Sequence, residues 1–546
     1  MTRSIDAVTL RGWLNDGEPI ALLDVREHGQ YGEGHPFFAV PLPYSRLELD
    51  IGRLVPRLAE RIVLLDDGDG VAERAAQRLA ALGYRNASVL SGGAPAWAAA
   101  GYTLFKGVNV PSKTFGELVE QRQRTPRLSA AELAARQAAG EPLVLVDGRT
   151  FEEHRKMTIP GAQSLPNGEL ALRLAALLPD AQTTVVVHCA GRTRSIIGAQ
   201  TLRNLGLPNP VLALENGTQG WYLAGHALEH GSQRRYPPAP AGHDLAEARA
   251  RSAQLLQRFN LPRLSASQAQ QWLDDGSRTT FLLDIRTAEE FAQGSIEGAR
   301  HAPGGQLVQA ADQYIGVRGS RVIVFDDDGV RAPVVASWLY QLGYESAVLA
   351  DGIKAAVKAP APPRTLPAHA LPVLDASLLR ALYAEASDVI RIDLRESAAY
   401  GRGHAEGAAW SIRPRLPAAL DGLGVAHDRP VVLIASEPHI ANLAGQDLLA
   451  AGYRHVYRLA EGYRTWQAAG LPEATAAAAL PPEARIDYLF FVHDRHEGNQ
   501  AAARAYLAWE TGLIAQCAAD ELGVFRIGVP GGGGNARQAG VLSAVV

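Results

Sequence analysis

Cysteine is almost missing from this chain: Cys189 and Cys517 are the two in 546 residues. Two cysteines cannot build a disulfide framework or a four-cysteine zinc site. A charge excess is missing too. Lys and Arg number 53 against 57 Asp and Glu, a formal net charge of -4, which gives no support to a nucleic-acid or anionic-membrane partner. No uncharged apolar run reaches eighteen residues, so no membrane-spanning helix is expected. Asp6, Arg11, Asp16 and Glu18 interrupt any signal-peptide core. The expectation is a cytoplasmic protein with no membrane attachment, cofactor or metal. A hydrophobic share of 47% with 20% charged residues excludes wholesale disorder, and the length predicts three or four domains at about 150 residues each.

What the chain does contain is a fourfold repeat. Each copy opens with a short apolar strand ending in Asp24, Asp147, Asp284 or Asp393, followed two places on by Arg26, Arg149, Arg286 or Arg395. A second β-branched run leads to Asp66, Cys189, Asp326 or Ala435, 42 positions after the first Asp in every copy. A helical stretch then closes at Gly83, Gly206, Gly343 or Gly452, 17 positions further in every copy. Strand-helix alternation with strands too apolar to face water predicts an α/β class. Each copy should be a small parallel sheet flanked by helices, binding ligands at the carboxyl ends of its strands. Pro/Ala stretches at 236–240, 359–363 and 474–482, with a weaker break near Val110-Pro111, divide the chain into 1–110, 111–236, 237–363 and 364–475. A helical tail, 476–546, follows, and its end from Pro530-Gly531 reads as disordered.

Only the second copy carries a nucleophile at the strand-to-helix turn: Cys189-Ala190-Gly191-Arg192-Thr193-Arg194-Ser195. A helix N-terminus gathers unpaired amides at one point, and Arg192 and Arg194 add positive charge. Both favour Cys189 as a thiolate near neutral pH and an anionic substrate beside it. Cys189 is the candidate catalytic residue, and residues 190–195 are the candidate substrate-binding loop. The reading requires a sulfur that solvent can reach. His188, on the strand, is expected to pack or to orient the loop. The Asp147–Arg149 pair recurs in copies lacking cysteine, so it reads as a structural salt bridge.

Asp-x-Arg after a strand, Ile159-Pro160-Gly161-Ala162 and the Cys189–Arg194 loop together resemble the rhodanese (sulfurtransferase) family, as four tandem domains over about 480 residues. The resemblance implies that Cys189 takes a sulfane sulfur from thiosulfate as a persulfide and passes it to cyanide or a thiol, a protein thiol included. It also implies that a six-residue loop suits sulfur, whereas related phosphatases use seven residues to hold phosphate. A Gly-turn with a following Trp, the other family signature, appears as Asn216-Gly217 with Trp221, Gly92-Gly93 with Trp97, and Gly462 with Trp466; copy three has Asp351-Gly352 without Trp. Met157-Thr158 stands where the family often has Gly-His.

Asp66, Asp326 and Ala435 cannot form a persulfide, so copies one, three and four are expected to be inactive. The Asp-rich loop at Asp66 lacks the closing Glu of a calcium hand, and it and the loop at Asp326 read as inactive rather than metal-binding. In the tail, Leu507, Ile514 and Cys517 are expected on one buried helical face, and His493, Asp494, His496 and Glu497 to form a polar cap rather than a ligand set. The competing reading is a non-enzymatic multi-domain scaffold or sulfur-relay carrier.

Overall fold

The computed structural model describes residues 3–361, 363, 370–385, 388–474, 480–496 and 498–530. The glycine-rich end expected to be disordered lies outside these residues. Each repeat forms a five-stranded sheet in one recurring order. In repeat two, Arg127–Leu128 lies at one edge, followed across the sheet by Val211–Leu214, Thr184–His188, Leu143–Asp147 and Gln163–Ser164, all parallel. The central strand shows why its sequence is a continuous apolar run. Val185 and Val187 enter one core with Ala199 and Leu202, while Val186 enters the opposite core with Leu133 and Trp221.

Two devices recur. The Asp-x-Arg pair closes on itself in every repeat, with Arg Nη2 to Asp Oδ2 at 2.6, 2.7, 2.7 and 2.6 Å, the aspartates fully buried. Trp97, Trp221 and Trp466 are buried, and each indole N–H donates to the carbonyl six residues on, at 3.1, 2.8 and 3.0 Å. Repeat three has no such Trp, and a 3-10 turn, Gly352–Lys354, replaces the helix.

The repeats pair through one equivalent position, twenty residues after the first Asp: Tyr44, Asn167, Gly304 and Arg413. Repeat one meets repeat four where Arg413 donates to the Tyr44 carbonyl at 3.1 Å and to Glu48 at 2.6 and 2.9 Å. Repeat two meets repeat three so closely that a Cβ on Gly168 would lie 2.9 Å from the Gly305 amide nitrogen. Trp338 of repeat three also donates to Thr201 of repeat two at 2.8 Å.

The tail departs from its expected single helix. Gly512 ends the helix Gln500–Thr511, and a short helix, Leu513–Gln516, follows, with Cys517 at its C-cap. Leu507 is buried, while Ile514 and Cys517 pack half-buried against the main core. The tail helix rests on the linker helix Val110–Gln123, which joins repeats one and two. No helix among the described residues is long and apolar enough to cross a membrane.

Candidate active site

Cys189 follows the strand Thr184–His188 and precedes the helix Thr193–Asn204. The amides of Thr218 and Gln219 donate to the carbonyls of Cys189 and Ala190 at 2.8 and 3.1 Å, so the helix Gly217–Leu223 pins the turn from outside. This explains the Gly-turn. Gly217 is in the left-handed region (φ +50°), and a Cβ there would lie 2.1 Å from the Cys189 carbonyl oxygen. Gly93, Gly352 and Gly462 make the same approach to Asp66, Asp326 and Ala435, at 2.2, 2.2 and 2.1 Å.

The silent repeats reveal what their turns hold. Asp66 accepts from the amides of Gly68, Gly70 and Ala72 at 2.8, 3.1 and 2.9 Å. Asp326 accepts from Gly329 and Ala332 at 2.9 and 2.8 Å. The turn therefore gathers amides around an anion at the position of Cys189. Ala72 and Ala332 stand six residues past those aspartates, and Ser195 stands six past Cys189. The Ser195 hydroxyl lies 3.7 Å from Cys189 Sγ and donates to the Arg192 carbonyl at 2.7 Å. Ala435 fills less of its turn, and a cavity of about 350 Å³ opens there, lined by Glu437, Glu461 and Arg464 among others.

The two loop arginines are not oriented as free anion binders. Arg192 donates to Glu117 at 2.7 and 2.9 Å and also to Glu120, both on the linker helix. Arg194 is held by Glu153 at 2.7 Å through both nitrogens. The expectation that both guanidiniums face the substrate is corrected accordingly: each already neutralises a carboxylate. Arg194 does remain close enough for its charge to interact with Cys189, and that charge draws Glu153 down to about 2 against the cost of burial.

Beneath the turn lies a polar cluster specific to this repeat. His188 is fully buried, its Nε2 3.4 Å from Thr158 Oγ1 and 3.8 Å from Asp147 Oδ2. Burial pushes its imidazole down to about 4 despite the facing carboxylate, so it is neutral at pH 7. His154 bridges Asp147 and Ser232 at 3.2 and 2.9 Å. Thr158, where the family often has His, donates to Asp147 at 2.9 Å. In repeat one His35 holds that place and stacks on Tyr31 instead.

The sulfur is covered: Cys189 is 2% exposed, and residues 190–193 are buried with it. The expected open approach is therefore corrected. The loop that follows Cys189 is also packed from outside the repeat. Gly116 of the linker helix lets Thr193 approach so closely that a Cβ there would lie 2.9 Å from Thr193 Cγ2. On the other side Glu510 of the tail helix lies against Gly191, its Oε2 2.9 Å from where a Cβ would stand. Sequence reasoning missed Lys113, Glu117, Glu120, Gln219 and Glu510. Gln219 sits inside the Gly-turn and could have been singled out; nothing in the sequence marks the other four.

No group of three His, Cys, Asp or Glu among the described residues is placed to hold a metal ion. His493 lies 5.1 Å from the Tyr488 ring; Glu497 and the His496 side chain fall outside the description.

Fold and site together define a tandem α/β protein with one cysteine-bearing turn and three turns that carry Asp66, Asp326 or Ala435 in its place. The chain belongs to the rhodanese-like domain family, which matches residues 6–100, 129–224, 265–359 and 375–469. The crystal structure of a thiosulfate sulfurtransferase from Pseudomonas aeruginosa is similar over 96% of this chain and 99% of that one, at 42% identity and a TM-score of 0.87. The HTH-type transcriptional regulator Rv0324 of Mycobacterium tuberculosis is 36% identical over 118 residues, 21% of this chain; the match spans about half (47%) of that regulator. A protein of the same species provisionally named thiosulfate sulfurtransferase SseB is 28% identical, covering 30% of this chain and 71% of its own length.

Proposed function

We propose that the chain is a thiosulfate sulfurtransferase with one working domain. The carrying observation is that the turn gripping a carboxylate in repeats one and three holds a thiol in repeat two, and, that thiol being 2% exposed, the donor reaches it once the packing over the turn opens. The Cys189 thiolate attacks the outer sulfur of thiosulfate. The S–S bond of the donor breaks, sulfite leaves with the electron pair, and Cys189 holds a persulfide. Cyanide or a thiolate then attacks the terminal sulfur; the new bond forms to the acceptor, and Cys189 recovers its thiolate. Charge and sulfur balance at both steps without an external oxidant. The amides gathered at the turn stabilise the anion on the cysteine, and Ser195, which donates to the Arg192 carbonyl, holds the turn in shape. Asp66 and Asp326 fill their own turns, which supports a structural role for those repeats. The named activity of the Pseudomonas aeruginosa relative points the same way.

Intact-mass spectrometry after thiosulfate incubation tests the reading. A gain of one sulfur, lost on adding cyanide with release of thiocyanate and absent from Cys189→Ala, is expected. Unchanged turnover in Cys189→Ala, or turnover of an aryl phosphate in place of thiosulfate, would overturn it.

A further inference from the structure

Glu510 is 1% exposed, and its two oxygens are used unequally. Oε1 accepts from Lys113 Nζ at 3.0 Å and from Thr193 Oγ1 at 3.1 Å. Oε2, against Gly191, meets no hydrogen-bond donor among the described residues. Beside it lies Gln219, 6% exposed, with neither amide atom paired among the described residues; its Nε2 is 3.9 Å from the same Gly191 Cβ position. Buried polar atoms normally find partners, so unpaired atoms of two residues converging on one glycine mark a place built for something else. The carboxylate is ionised, since the Lys113 charge outweighs burial and holds it below the usual range. With Arg192 and Arg194 neutralised within the protein, Lys113 is the cation bonded at the outer face of the turn, and Arg495 adds positive charge nearby.

We propose that Lys113, Thr193 and Gln219 form the subsite for the oxyanion end of the sulfur donor, the end that is not transferred. Glu510 occupies that subsite as a tethered substrate mimic until the donor displaces it. The inference rests on Cys189 being the sulfur-transferring nucleophile. A carboxylate and the sulfonate end of thiosulfate share the required chemistry, acceptor oxygens carrying negative charge. The subsite offers an ammonium, a hydroxyl and an amide N–H to such oxygens. It explains why the turn is covered: the tail helix, seated through Ala503, Tyr506 and Leu507, brings its carboxylate to the place the donor must take.

The test compares alkylation of Cys189 in the full chain by anionic iodoacetate and neutral iodoacetamide, alongside the KM for thiosulfate. Glu510→Gln removes the competing charge. It should raise the iodoacetate-to-iodoacetamide rate ratio about tenfold, the weight of one charge-assisted hydrogen bond, and lower the thiosulfate KM. Lys113→Met should lower the ratio and raise KM by a similar factor. Glu510→Asp, which only withdraws the carboxylate, should move both readouts in the direction of Glu510→Gln and guards against a variant that fails to fold. Ratios unmoved in all variants, both reagents changing alike, or a Cys189 that reacts with neither would overturn the proposal. Ratios that shift as stated in a chain that does not turn over thiosulfate would support the anion subsite and remove the sulfurtransferase reading.

Discussion

Thr193 and Glu510, 317 positions apart in the chain, meet at 3.1 Å, hydroxyl to carboxylate, on the outer face of the Cys189 turn. The linker and tail helices that complete this site both lie outside the four stretches matched to the family. The repeat supplies the turn, and the surrounding chain decides what reaches it.

The turn itself makes the first prediction. Cys189→Ala should keep the fold and lose all thiocyanate formation. Ser195→Ala should retain activity at about a tenth of the wild-type kcat/KM, the effect of losing the hydrogen bond that Ser195 donates to the Arg192 carbonyl within the turn. Steady-state kinetics with thiosulfate and cyanide checks both. Wild-type rates in Ser195→Ala would remove the hydroxyl from the mechanism.

Silent turns should be stability elements. Asp66 satisfies three backbone amides from a buried position. Asp66→Ala strands them and should cost about 2–4 kcal/mol, while Asp66→Asn, which retains an acceptor oxygen, should cost less. Urea unfolding monitored at the repeat-one tryptophans reads the difference, and equal losses in the two variants would contradict it.

Much of this was legible in the sequence. The constant spacings of 42 and 17 residues fixed strand, turn and helix in every repeat, because a parallel sheet wrapped by helices allows few registers. The Asp-x-Arg pair was recognisable as structural because it recurs without cysteine. The roles of Arg192 and Arg194 were not legible. A guanidinium beside a cysteine at such a turn looks like a substrate ligand until Glu117, Glu120 and Glu153 are seen to reach it from other helices. The tail helix was misjudged at Gly512 because apolar spacing alone does not show where a glycine ends a helix. Glu510 left no trace at all, since its role exists only after the chain has folded back on itself.

A pH dependence follows from His188. Its folded value of about 4 lies below the ordinary 6.5, so the unfolded chain binds more protons between those limits. Stability is therefore lost as pH falls from about 6.5 to about 4, by up to about 3 kcal/mol from this group. His188→Leu should flatten that part of the profile and still fold, because Leu65, Phe325 and Ile434 hold the same strand position in the other repeats. Thermal melts at pH 5 and pH 7.5 test this; an identical acid loss in the variant would refute it.

The interface between repeats one and four depends on Arg413, fully buried between Glu48 at 2.6 Å and Asp447 at 2.9 Å. Glu48→Gln leaves Arg413 sharing Asp447 with Arg78, two cations on one buried carboxylate, so it should destabilise by about 2–3 kcal/mol. Limited proteolysis should then cut between repeats three and four far faster than in the wild type. Equal digestion rates would show that the contact does not hold the repeats together.

Repeat one clasps repeat four and also bridges to repeat three through Ile20 and Arg318, while repeats two and three clasp each other, so the interfaces form a closed network rather than a string in series. During synthesis the inner pair can close first. Glu48, made within the opening tenth of the chain, has Arg78 of its own repeat at 3.8 Å but waits for Arg413, made in its last quarter, for its short charge-assisted bonds. An early stop in translation would thus leave the front of the molecule with a half-answered acidic socket, a state distinct from a shorter version of the finished protein.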